Sequence, residues 1–105
     1  MAHAVETKKD TISRIAQCSK QLHSLGVMGI GLFGSFSRDS ATEQSDVDLL
    51  VKFEPDKKTF DNFIDACFLL EKKLGRKVEL VTEESLSPYL KPYIMKEIED
   101  VPLPY

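Results

Sequence analysis

Two aspartates one residue apart, Asp46 and Asp48, open an apolar run at residues 46–53. Side chains alternate along an extended strand, so both carboxylates point to one face. Like charges that close repel and cost stability unless a cation lies between them. Mg²⁺ takes hard oxygen donors of this kind and commonly shares its shell with substrate phosphates. Upstream, Gly34-Ser35 closes another apolar run, and residues 36–45 separate the two features. Glycine leaves the backbone open to close approach, and the amides and hydroxyl around Ser35 can cradle phosphate oxygens. Arg38 can neutralise further phosphate charge. A third acid, Glu79, sits among apolar residues in Lys77-Val78-Glu79-Leu80-Val81. If its strand lies beside the second one, Glu79 joins Asp46 and Asp48. Three carboxylates with two Mg²⁺ ions would make a centre for phosphoryl transfer, in which an attacking hydroxyl is activated and a triphosphate held.

Those residues need elements to position them. Residues 10–25 have helical spacing, with Asp10 or Thr11 as cap and Gly26 as stop. Residues 27–33 are an apolar run of strand length, and 34–42 a polar turn with room for one helical turn. Residues 46–53 form the second strand. Its Val47, Leu49 and Val51 share one face, and Leu50 shares the other with the two aspartates. Residues 59–74 form the strongest helix, with Phe60, Phe63, Ile64, Cys67, Leu70 and Leu74 as its apolar stripe and Gly75 as its stop. Residues 77–82 are the third strand, and 83–86 a short helical turn. A last helix is expected from Ser87, with Pro88 at its first position and Pro92 allowing a kink or a later start. Leu86, Tyr89, Leu90, Tyr93, Ile94 and Ile98 form its apolar face. The order implies an α/β (α+β) unit, a small mixed sheet with helices packed against it. The glycines of Gly29-Ile30-Gly31-Leu32-Phe33-Gly34 fit G-x-G-x-x-G. They lie inside the expected strand rather than between strand and helix, so a dinucleotide loop is disfavoured.

The chain has 105 residues, one domain's worth (1–105) and too few to enclose a large substrate alone. The net charge is −3, from 14 basic and 17 acidic side chains, so no overall basic field exists to hold nucleic acid. Cys18 and Cys67 are far apart in sequence and form no CxxC, which leaves neither a disulfide framework nor a zinc site. No apolar stretch approaches the ~18 residues of a membrane span, and residues 1–10 lack the apolar centre of a signal peptide. The expected location is cytoplasmic.

Gly34-Ser35-Phe36-Ser37-Arg38, followed by Ser45-Asp46-Val47-Asp48-Leu49-Leu50-Val51, resembles the signature of the DNA polymerase β-like nucleotidyltransferase superfamily. The small size and the ending Ser85-Leu86-Ser87-Pro88-Tyr89-Leu90-Lys91-Pro92-Tyr93-Ile94 resemble its minimal members, the MntA-type proteins of HEPN–MNT toxin–antitoxin pairs. The resemblance covers roughly residues 10–100. It implies the polymerase β-like fold, ATP as donor, and Asp46, Asp48 and Glu79 as catalytic metal ligands for Mg²⁺. It implies Gly34 and Ser35, with Arg38 and Ser45, as nucleotide contacts. The reaction it implies is AMP transfer to a tyrosine hydroxyl of a HEPN-type toxin, a ribonuclease, which silences it. Three positions depart from the common pattern: Ser37 stands where Ala is usual, Asp39 where Gly is common, and Glu79 where Asp is most frequent. Two other functions stay open. One is a binding module that occludes the toxin through Tyr89, Tyr93, Met95, Pro102, Leu103 and Tyr105. The other is the catalytic subunit of a small-molecule nucleotidyltransferase.

Overall fold

The computed structural model describes residues 3–104. Four strands form one mixed sheet: β1 (Val27–Phe33), β2 (Val47–Phe53), β3 (Val78–Val81) and β4 (Glu99–Val101), in the order β3-β2-β1-β4. β1 runs antiparallel to both β2 and β4, and β2 runs parallel to β3. The parallel pair needs a crossover, supplied by α4 (Phe60–Leu74). Thr59 caps α4 by accepting a hydrogen bond from the Asn62 amide at 3.1 Å, and Gly75 ends it in the left-handed conformation.

Alternation along the strands sends Ile30 and Leu32 of β1, and Val47, Leu49 and Val51 of β2, into one core. Ile15, Leu22, Ala66, Leu70 and Leu74 close that core from the helical side. Phe60, expected on the buried stripe of α4, is instead 77% exposed; full burial on this helix begins at Ala66 and continues at Leu70 and Leu74.

The first helix is two. α1 (Lys8–Gln17) and α2 (Ser19–Ser24) break at Cys18, whose amide and thiol both turn back to the Ile15 carbonyl. The cap of α1 is Thr7, not Asp10 or Thr11; its hydroxyl accepts from the Asp10 amide. Thr11 is buried, and its own hydroxyl donates to the Thr7 carbonyl at 2.7 Å. Both cysteines are free, and burial raises both thiol pKa values.

A short α3 (Gly34–Ser37) follows β1 directly, and α5 (Lys91–Glu97) precedes β4. α5 starts later than Ser87 and Pro88 suggest: residues 88–90 form a turn, and Pro92 stands in the first helical turn, where its missing N–H costs nothing. Tyr89, Leu90 and Tyr93 do not pack on the sheet; they are 86%, 56% and 74% exposed. The strand Glu99–Val101, which no local pattern in the sequence signals, pairs with Leu32, Gly31 and Ile30. Among the described residues, no helix is long and apolar enough to cross a membrane.

Candidate active site

The sequence motifs converge at one end of the sheet, on the face opposite α4. In the ladder, Asp48 lies opposite Phe33 on one side and beside Glu79 on the other. The strand order β3-β2-β1 therefore places the third carboxylate next to the second and the Gly34-Ser35 turn next to both. Asp46 precedes β2 by one residue and is half-buried, as is Asp48, while Glu79 is exposed.

Gly34 explains why the turn and the aspartate pair belong together. Its φ is +76°, a left-handed conformation, and a β-carbon there would strike the Asp48 carboxylate. Only a hydrogen lets that carboxylate rest against the turn. The Gly34 amide is engaged within the chain: it donates to Oε1 of Glu97 at 2.9 Å. Arg38 Nη1 also reaches the two Glu97 oxygens, at 3.2 and 2.9 Å. The Ser35 carbonyl accepts from the Ser40 amide at 2.9 Å, which closes the turn.

Ser45 works on the loop itself. Its hydroxyl accepts from the Thr42 amide at 2.9 Å, and its amide donates to the Thr42 carbonyl. Arg76 fastens the same loop. Its Nη1 donates to the carbonyls of Thr42, Glu43 and Ser45 at 2.9–3.1 Å, and its guanidinium lies 5.1 Å from the centre of the Phe36 ring. Asp39 adopts φ +55°, a left-handed conformation that glycine would take without strain. Its carboxylate accepts from the Lys8 amide at 3.1 Å, so its charge is directed at the start of α1. Nothing local signals the roles of Glu97 and Arg76; the Gly34–Glu97 contact spans 63 residues and the Arg76–Ser45 contact 31.

The electrostatics centre on Asp48. Burial pushes its pKa up to about 6, and Glu79, Asp46 and Glu97 push the same way, against the pull of Arg38. The carboxylates thus converge at some electrostatic cost. Among the described residues, no three Asp, Glu, His or Cys side chains are drawn tightly enough to form a metal cage as they stand. The donor set is nevertheless all carboxylate oxygen, and its mutual repulsion is of the kind a divalent cation relieves, which fits Mg²⁺. Asp46, Asp48 and Glu79 could hold the ion, and Ser35 lies in the turn that rests against Asp48.

Comparison with known proteins identifies the family. A family model described as nucleotidyltransferase domain matches residues 12–101. The chain is 36% identical over 96 residues to the protein adenylyltransferase MntA of Thermococcus cleftensis, covering 90% of this chain and 96% of that protein. It is 40% identical over 75 residues to a candidate protein adenylyltransferase of Methanocaldococcus jannaschii, covering 70% of this chain and 72% of that one. Among solved structures, a candidate minimal nucleotidyltransferase superposes with a TM-score of 0.67 at 31% identity, covering 88% of this chain and 95% of that one. A toxin–antitoxin structure with AMP-PNP shares the fold, with a TM-score of 0.61 at 22% identity, covering 82% of this chain and 73% of that one.

Proposed function

The chain belongs to the nucleotidyltransferase domain family, and from that premise we propose that it transfers AMP from ATP to a tyrosine hydroxyl of a HEPN-type toxin, acting as its antitoxin. It is an enzyme of the nucleotidyltransferase type. The observation that carries the finer reading is the placement of Asp48 between the Gly34 turn and Glu79. Protein adenylyltransferase relatives support AMP as the group moved and a protein as its acceptor.

In this reading Ser35 and Arg38 bind and orient the triphosphate. Asp46, Asp48 and Glu79 would hold Mg²⁺, which supplies charge neutralisation of the phosphates and lowers the pKa of an attacking hydroxyl. The acceptor oxygen forms a bond to the α-phosphorus. The bond from that phosphorus to the bridging oxygen breaks, and pyrophosphate leaves with the electron pair. The hydroxyl proton passes to an adjacent carboxylate, with exposed Glu79 the one open to an incoming protein. Ionised Asp48 is required to hold the ion, so with its pKa pushed up to about 6 in the metal-free protein, protons should compete with Mg²⁺ and weaken its binding as pH falls through about 6.

Exposed Tyr89 and Tyr93 favour a second reading, in which the α5 region covers the toxin without chemistry. Mass spectrometry of the proposed toxin partner, after incubation with this protein, ATP and Mg²⁺, separates the two. An AMP adduct on a tyrosine is expected. A toxin that is neutralised yet unmodified would establish occlusion instead.

A further inference from the structure

Glu97 ends α5, and its carboxylate meets two groups of the proposed phosphate cradle at once: the Gly34 amide and Nη1 of Arg38. An acid at a helix C-terminus is disfavoured by the backbone dipole, so this position is offset by its partners rather than by the helix. Both contacts are charge-assisted, the stronger kind of hydrogen bond. We propose that Glu97 is a positioning residue of the nucleotide site, clamping the Gly34 turn and one nitrogen of Arg38 so that the rest of the cradle meets the triphosphate in a fixed arrangement. The inference rests on the transferase reading above and deepens it.

Two features argue for a clamp over a plug that phosphate must expel. First, the clamp uses one guanidinium nitrogen. Arg38 Nε and Nη2 make no hydrogen bond among the described residues, and its side chain is 57% exposed. Arginine has five donors in a rigid fork, so holding one end still leaves donors for phosphate. A long free side chain loses rotamer freedom when it binds, and prior tethering removes part of that cost. Second, Glu97 is fastened on both sides. Its carbonyl accepts from the Ser37 hydroxyl at 3.2 Å. The next residue, Ile98, covers Gly31 so closely that a β-carbon there would collide with it, and Glu99 then pairs with Leu32 in the sheet. The backbone on both sides of the carboxylate is thus tied to the turn and the sheet.

The test compares wild type, Glu97→Ala and Glu97→Gln in two readouts. Calorimetry with Mg²⁺ measures affinity for AMP-PNP and for AMP, and NMR measures exchange of the Gly34 amide in the nucleotide-free protein. Loss of charge-assisted bonds of this kind weakens binding about tenfold. The expected result is AMP-PNP bound about tenfold more weakly by Glu97→Ala, and about threefold by Glu97→Gln, which retains an acceptor for Gly34. AMP affinity stays at the wild-type value, and Gly34 exchange quickens most in Glu97→Ala. Glu97→Gln keeps the side-chain volume and serves if Glu97→Ala does not fold. AMP-PNP affinity unchanged or tightened in both variants would overturn the proposal while leaving the transferase reading standing. Equal weakening of AMP and AMP-PNP would reduce Glu97 to a fold contact. Wild type that binds no AMP-PNP would sink the transferase reading itself, and the positioning role with it, even if Gly34 exchange responds.

Discussion

On β2, Val47, Leu49 and Val51 are at most 1% exposed beneath the helices, while Asp48 between them turns to the opposite face beside Glu79. One strand thus serves two surfaces with opposite rules. The helical face gains stability by removing apolar area from water. The other face gathers carboxylates that repel, and burial together with that repulsion raises the pKa of Asp48. The difference teaches that the rigid face makes the strained one affordable: carboxylates at adjacent strand positions cannot drift apart while the alternate residues are locked in the core.

The comparison predicts opposite phenotypes for the two faces. On the open face, Asp46→Asn or Glu79→Gln should cut AMP transfer about 10³-fold, the several kcal/mol expected from a lost metal carboxylate, with no fall in melting temperature. Transfer assays run beside thermal melts would show this, and a variant that unfolds would break the division. On the helical face, Leu49→Ala should cost roughly 3 kcal/mol by urea denaturation, the usual cost of a cavity of that size. Its remaining folded molecules should still transfer AMP.

Gly34→Ala stands between the two faces. It forces a side chain into a left-handed position and against Asp48. About 1–2 kcal/mol of stability should be lost from the backbone alone, together with nucleotide affinity. The pH dependence is a subtler check. Asp48 holds its proton more tightly when folded, with a pKa of about 6 against an ordinary 3.8. Its contribution to stability is therefore full below about pH 4 and is lost as pH rises through about 6. The melting-temperature difference between wild type and Asp48→Asn should open in favour of the variant across that window. A flat difference would mean that Asp48 is not strained. Smallest of all, Asp39→Gly should change stability by less than about 0.5 kcal/mol, because relief of the left-handed backbone offsets loss of the Lys8 amide bond.

Much of this was legible in the sequence because its signals are local. Alternation in residues 46–53 gave β2 its two faces, and Thr59 and Gly75 bracketed α4 within a residue. The Gly34-Ser35 and Asp46–Asp48 motifs sit together because β1 and β2 are neighbours, and Glu79 joins them because β3 lies on the far side of β2. What escaped depends on distant partners. The break at Cys18 carries no Gly or Pro. The acid-rich strand at residues 99–101 has no apolar pattern and exists because β1 offers an edge. Arg76 and Glu97 look like surface charges until the fold brings each to a loop far away in the chain.

These carboxylates are proposed to support nucleotidyl transfer to a protein. The most direct test uses ATP labelled at the α-phosphate, Mg²⁺ and the proposed toxin partner, comparing wild type with Asp48→Asn. The account predicts label on the toxin with wild type and about 10³-fold less with the variant. Label transfer that survives Asp48→Asn undiminished would contradict it.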